Sequence, residues 1–408
     1  MTNSSPQYGP FDAPRLQDFD IILVNTSAGK DSQAMLDEVC RQAEAEGVRD
    51  RVVAVHADLG RAEWEKTKEL AQRQCDFYGV PLRVTRRKQN DLVDQIWARW
   101  EQLKAKGQNV PPYPSKANRY CTSDHKRGPI RTVMTALVKE MNAGRKVRIL
   151  NCVGLRAEES SDRATCPSCK GAGRVDPATG KKLARKALSD AQQALVGKLA
   201  GHALAVAAAT LEALESERPF NELSADERLA ANFKAAGWKL VKVAPRSAAA
   251  LTKRGLLKDG RLTAAGAAYN DDPTVPCPRC AGTGHRPTME LSDASNKTKR
   301  EVWDWLPVHA WSEKDVWDRI NESGCEHHVA YDLGMPRLSC CFCIFAPKAA
   351  LLLAGYHNRD LLETYCEIER ETGFTFKQDV SLCEVQAELE AGWEPPKDGE
   401  KLTGWEDY

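Results

Sequence analysis

From Phe19 onward the chain alternates short apolar runs with helix-period segments, and few folds accommodate that pattern. FDIILVNT (19–26) is a β-rich run, and DSQAMLDEVCRQAEAEG after it repeats apolar residues at helical spacing through Ala34, Val39 and Ala43. RVVAVHAD (51–58) reads as a second strand and RAEWEKTKELAQRQCDFYG as a helix stopped at Gly79. PLRVT (81–85) is a third strand, and Asp91 to Lys106 an amphipathic helix carrying Ile96, Trp97, Trp100 and Leu103. KVRILNCVG, from Lys146, is a fourth strand. Strands alternating with helices predict an α/β fold with a doubly wound, mostly parallel sheet.

A chain of 408 residues exceeds one ordinary core, so two or three domains are expected. The apolar fraction of 42% and charged fraction of 28% suit a soluble globular protein. The net charge of +1 advertises neither a nucleic acid nor a membrane for the molecule as a whole. Residues 1–18 read as a loose tail without a basic and then apolar signal sequence. The stretch Ala200 to Leu214 is mostly alanine and too short to span a bilayer. No membrane partner and a cytoplasmic location are therefore expected. Fourteen clustered cysteines in a long chain predict metal or redox chemistry in a reducing compartment, not disulfides.

Composition shifts at Cys166. Residues 166–285 open with CPSCKGAGR and close with CPRCAGTGH, which reads as an insertion into the strand-rich domain. Cys166, Cys169, Cys277 and Cys280 supply the four soft ligands of a tetrahedral structural Zn²⁺, and the following glycines allow turns that aim N–H groups at sulfur. Each knuckle resembles those of DnaJ-type zinc modules. Between them, residues 181–261 hold fifteen Lys/Arg against eight Asp/Glu, a net of +7. The pattern from Leu251 to Gly266 reads like the last helix and wing of a winged-helix domain. That suggests DNA or RNA contact through Lys253, Arg254, Lys258 and Arg261; a solvated basic helical face fits equally. Residues 348–408 read as a helical C-terminal extension.

Ser27-Ala28-Gly29-Lys30-Asp31-Ser32 joins the first strand to its helix. Gly29 permits close backbone approach, the helix start presents N–H groups, Lys30 adds a point charge, and Ser27 and Ser32 add hydroxyls. The bland alternative is a βα turn capped by Asp31 or Ser32. A Walker loop is excluded, since Val24 stands where the first Gly belongs and Asp31 where Ser/Thr belongs. The dinucleotide GxGxxG pattern is also absent.

The loop resembles the PP-loop SxGKDS of the ATP pyrophosphatase (adenine nucleotide alpha-hydrolase) superfamily, in its reductase-like branch. His56-Ala57-Asp58-Leu59-Gly60 resembles that branch's acidic turn, with Leu59 for Thr. Gly154-Leu155-Arg156-Ala157-Glu158-Glu159-Ser160 with Arg163 resembles its GxRxxES..R segment, and Trp305 to Val308 with Trp311, Asp315, Val316 and Trp317 its closing stretch. Ala294-Ser295-Asn296 with Arg300, and Ala330 through Cys340, resemble the phosphoadenosine phosphosulfate reductase-like family common in phages and actinobacteria. The resemblance covers 19–165 and 286–347, which would form one discontinuous catalytic domain.

It implies residue roles. Ser27, Ala28, Gly29, Lys30, Asp31 and Ser32 would hold the phosphates of ATP or a sulfonucleotide, with Asp31 or Asp58 on Mg²⁺. Gly154, Arg156 and Arg163 would face them from the fourth strand, with Glu159 as ligand contact or as partner of Arg156. The basic pair Lys126 and Arg127 would lie near the nucleotide. Lys30, Asp31, Asp58 and Arg156 are the catalytic candidates. Cys121, Cys340 and Cys343, with Cys341 or Cys325 as fourth, would converge on a 4Fe–4S cluster, although the tandem cysteine of four-cysteine reductases is single here. Three buried free thiols, or zinc, are the alternatives. A sulfonucleotide reductase would also draw on a thioredoxin-type thiol reductant and a C-terminal ECGxH-type segment. This chain ends GWEDY without one. Adenylation with pyrophosphate release, or sulfur transfer, therefore ranks above sulfonucleotide reduction, with a non-catalytic zinc-containing nucleic-acid binder as a third possibility.

Overall fold

The structure, a computed structural model, describes residues 7–175, 180–181, 257–258, 261–262, 275–397 and 402. The chain divides into two compact units, Met1–Pro167 with His285–Tyr408, and Ser168–Gly284.

The first unit is α/β. Strands β1 (Ile21–Thr26), β2 (Val52–Ala57), β3 (Leu82–Thr85), β4 (Val147–Val153), β5 (Met289–Leu291) and β6 (Arg300–Trp305) form one sheet, ordered β3-β2-β1-β4-β6-β5. All neighbours are parallel except β6 with β5. β1 takes the centre because both of its faces are apolar. Ile22 and Val24 pack with Met35, Leu36 and Val39 of helix α1 (Lys30–Ala45). Ile21 and Leu23 pack on the other face with Met134 and Leu137 of the helix Gly128–Met141. Helices on both faces follow from that pattern.

Helix α2 (Thr67–Phe77) starts later than its sequence pattern suggests, because Lys66 sits in a left-handed conformation at φ 65°. Helix α3 (Leu92–Ala105) starts where Asp91 accepts the Asp94 amide. The helix Gly128–Met141 is α4. Strand β6 was hidden in the sequence by Glu301 and Asp304, which are charged residues in a nearly buried run. Glu301 pairs with Lys146, and Asp304 accepts from Asn151. Helix α5 (Glu313–Ser323) carries a capping box between Ser312 and Asp315 and packs on Ala34 of α1 through Val316 and Ile320. Helices α6 (Lys348–His357), α7 (Arg359–Thr372) and α8 (Leu382–Glu390) share a core with Val93, Ile96 and Leu59. Among the described residues, no helix is long and apolar enough to cross a membrane.

Two buried histidines give this unit an acid sensitivity. His328 Nδ1 accepts the Ala330 amide while Nε2 faces Thr67 Oγ1, whose proton goes to the Trp64 carbonyl. A second proton on Nδ1 would oppose an N–H. Burial, aided by His327, holds His328 down to about 4, and burial with Arg87 does the same for His125. Both are neutral when folded and free to protonate when unfolded. Their contribution is present above the unfolded pKa of about 6.5 and is lost as pH falls toward about 4, on the order of 2 kcal/mol each. Urea midpoints should drop between pH 7 and 4.5, and the drop should shrink in His328→Gln relative to wild type.

In the second unit, Arg174–Val175 pairs antiparallel with Val275–Pro276, and Leu257–Lys258 with Arg261–Leu262. Lys258 and Arg261 of the expected winged-helix pattern lie in that second pair, whereas Lys253 and Arg254 lie outside the described residues.

Candidate functional site

The sheet order reverses between β1 and β4: the chain moves outward from β1 to β3, then crosses to β4 on the other side. Loops at the carboxyl ends of two such strands diverge and leave a crevice, where open α/β sheets bind ligands. Ser27–Gly29 follows β1 there, and Gly154–Ser160 follows β4. The two segments approach so closely that a Cβ on Gly154 would lie 3.0 Å from the Asp31 carbonyl oxygen.

Ala28 turns the chain at φ 58°, and Gly29 is the N-cap of α1, with no side chain to cap it. The hydroxyls organise the turn. Ser32 Oγ donates to the Gly29 carbonyl at 2.8 Å and accepts the Ser27 amide at 3.1 Å. The Lys30 amide donates to Tyr331 Oη at 2.8 Å, and the Lys30 ammonium, 3% exposed, lies over the Tyr331 ring, bonds the Pro336 carbonyl and pairs with Glu313 at 3.3 Å. Segment 331–338 thus covers the loop. Burial holds the Lys30 ammonium below the ordinary lysine range, against the opposing pull of Asp31 and Glu313.

Beside the loop stand three guanidiniums. Arg156, also 3% exposed, pairs with Asp31 and Glu158, and these carboxylates outweigh burial and hold it charged. Arg163 pairs with Glu159 Oε2, while Arg337 reaches Glu159 Oε1 at 3.3 Å. Glu159 therefore anchors Arg163 and Arg337; to Arg156 it offers only an acceptor for the backbone amide, at 3.3 Å. Burial and the neighbouring Arg337 push Arg163 down, and burial does the same to Arg337. A guanidinium does not lose its proton under ordinary conditions. The downward push therefore reflects the cost of holding these charges away from water. Arg337 was not among the residues singled out from sequence; a lone arginine in a coil has no periodicity to mark it.

The remaining expected residues are distributed around this group. Asp58, at the end of β2, accepts the Gly60 amide at 2.7 Å. Its neighbour His56 is buried between the Thr26 carbonyl and Glu63, and Glu63 outweighs burial to raise its pKa. Lys126 lies within electrostatic reach of the Cys121 and Cys340 thiols, whereas Arg127 pairs with Asp293 on the exposed flank of α4. Cys121, Cys340 and Cys343 pack against the same helical core within electrostatic reach of one another, but among the described residues they are not drawn together closely enough to hold a single metal ion as they stand. Burial raises Cys121 and pushes Cys340 up to about 12. Arg337 lies within electrostatic reach of both Cys343 and Asp31. Cys341 is buried in the helical core, and Cys325 sits by Gln33 and Glu326.

A second constellation is formed by Cys166, Cys169, Cys277 and Cys280. Their sulfurs all lie within 4.8 Å of one another and all four residues are fully buried, a group that can hold a metal ion. The glycine turns are required here. Gly173 and Gly284 have φ of 69° and 80°, and a Cβ on either would meet the opposite knuckle's backbone at 2.3 or 2.5 Å. The Gly284 amide donates to Cys280 Sγ at 3.3 Å. Four soft, converging thiols with an N–H···S bond fit zinc.

Fold and site together define an α/β protein with a mostly parallel six-stranded sheet, a switch point lined by paired Lys/Arg and carboxylate side chains, and a buried four-cysteine group that could hold a metal ion. No family model and no curated protein matches the chain.

Proposed function

We propose that this protein is a PP-loop enzyme of the phosphoadenosine phosphosulfate reductase-like family, with an adenine nucleotide alpha-hydrolase-type fold. Its crevice binds the phosphates of ATP or a related sulfonucleotide. The observation that carries this reading is the gathering of Lys30, Arg156, Arg163 and Arg337 around the start of α1, where Gly29 brings no side-chain cap, with burial pressing on three of the four charges. A polyphosphate offsets the burial of those charges and replaces Glu313 as the partner of Lys30.

The reaction is adenylation. An acceptor oxygen attacks the α-phosphorus, pyrophosphate leaves, and water or a sulfur nucleophile then displaces AMP. Lys30 and the arginines hold the charge that grows on the leaving pyrophosphate, so catalysis is chiefly positioning and electrostatics. Mg²⁺ accompanying ATP would sit at Asp31 or Asp58, and Asp31 would then exchange Arg156 for the ion. The four-cysteine group would hold a structural Zn²⁺. Cys121, Cys340 and Cys343, neighbouring thiols in an apolar shell beside cationic Lys126 and Arg337, suit an iron–sulfur cluster that supplies or accepts sulfur.

Anaerobically purified protein given ATP and Mg²⁺ should release AMP and pyrophosphate. Sulfite release from a sulfonucleotide with thioredoxin, and no pyrophosphate from ATP, would instead establish the reductase. Tight DNA or RNA binding with neither turnover would instead support a non-catalytic zinc-containing nucleic-acid binder.

A further inference from the structure

Charge is unevenly spread over the α/β unit. Residues 83–131 hold twelve Lys/Arg against four Asp/Glu, a net of +8 in a chain whose total is +1. The excess forms no run in sequence, and the fold brings part of it, Arg86, Arg87, Lys88, Lys116, Arg119 and Lys126, around one set of turns. The turn after β3 carries Arg86, Arg87 and Lys88, the first and last of them exposed. Arg87 lies within electrostatic reach of Asp124 and His125, which sets that turn beside the π-helical turn Ser123–Arg127. Lys126 of the π-helical turn lies within electrostatic reach of the Cys121 and Cys340 thiols. Exposed Arg119, two residues before Cys121, lies over the Phe345 ring at 4.8 Å, and Phe345 is two residues past Cys343. Exposed Lys116 belongs to the same loop.

Little acidic charge answers this band. Arg83 pairs with Glu140, and Arg127 and Arg131 with Asp293, but Arg86, Lys88, Lys116 and Arg119 make no ion pair among the described residues. Exposed like charges repel one another and favour a polyanion that tracks along them. A small anion would be held by buried, converging donors, as at the nucleotide loop; these cations are open and strung out. The guanidinium over an aromatic ring adds a platform on which a base stacks, a feature an acidic peptide would not use.

We propose that this face binds a single-stranded nucleic acid. Its phosphodiesters track Arg86, Lys88, Arg119 and Lys116, and a base packs against Arg119 and Phe345, so the strand passes over Cys121, Cys340 and Cys343. Binding needs neither Lys30 nor a nucleotide in the loop, and so stands or falls separately from the nucleotide reading.

The test is fluorescence anisotropy of the full chain with labelled ~20-nucleotide single-stranded RNA and DNA across a salt series. The triple variant Arg86→Gln, Lys88→Gln, Arg119→Gln should weaken binding at least about tenfold and flatten the salt slope by about two to three. Phe345→Ala should weaken binding with the slope unchanged. Lys30→Ala should bind as wild type does. RNA and DNA arms that differ would identify the sugar preferred. The proposal is overturned if neither strand binds, if the triple variant binds normally, if only Lys253→Gln with Arg254→Gln abolishes binding, or if polyglutamate competes as well as unlabelled strand.

Discussion

Serine at Cys277 is expected to abolish zinc binding and to unfold the base of the insertion. The four sulfurs lie within 4.8 Å of one another, so without metal they are four buried, crowded thiols, and with three ligands the site is open. Structural zinc supplies roughly 10–16 kcal/mol of apparent binding energy in small modules, and most of it is folding energy. Loss of one ligand should remove a large part of that energy and with it the local fold. Metal analysis should find one zinc per wild-type chain and close to none in Cys277→Ser. Proteolysis should then cut between the knuckles and leave the α/β unit intact. The turns that place the thiols, at Gly173 and Gly284, are so close that alanine at either should reproduce the loss.

The other large effect is expected at Lys30. Its ammonium is the buried charge nearest the start of α1, and Lys30→Ala should weaken nucleotide binding by about 2–4 kcal/mol, roughly 30- to 1,000-fold. Turnover should fall at least as far. Because burial lowers the Lys30 pKa and a bound polyphosphate would raise it again, binding takes up a proton at alkaline pH. Affinity should therefore decline on the alkaline side before the ordinary lysine range is reached. Lys30→Arg, which keeps its charge throughout, should lose that decline. A Lys30→Ala protein with wild-type affinity and pH profile would remove the lysine from the site.

What the sequence made legible was whatever local chemistry dictates. The βαβ alternation, Gly29 at the start of α1 and the Cys166–Cys280 group were readable because period, turn and ligand spacing are local signals. What escaped was set by tertiary packing. Strand β6 was masked by Glu301 and Asp304, whose partners come from distant residues. Arg337 and Tyr331 lie in coil or a short turn, and only the fold brings them over the loop. The sequence left Glu159 open between ligand contact and partner of Arg156; its carboxylate accepts the Arg156 amide and is shared by Arg163 and Arg337, the last from a segment far away in sequence. The basic face at 83–131 was invisible because its cations are scattered over a strand end, a helix and a loop.

Whether Ser27–Ser32 holds nucleotide phosphate is decided by calorimetric titration of a non-hydrolysable ATP analogue, with Mg²⁺, into wild type, Lys30→Ala and Arg337→Ala. The geometry predicts saturable binding in wild type, and loss of at least about tenfold in both variants, since each removes a charge-assisted contact. Equal affinity in all three proteins, or no binding in wild type, would contradict it.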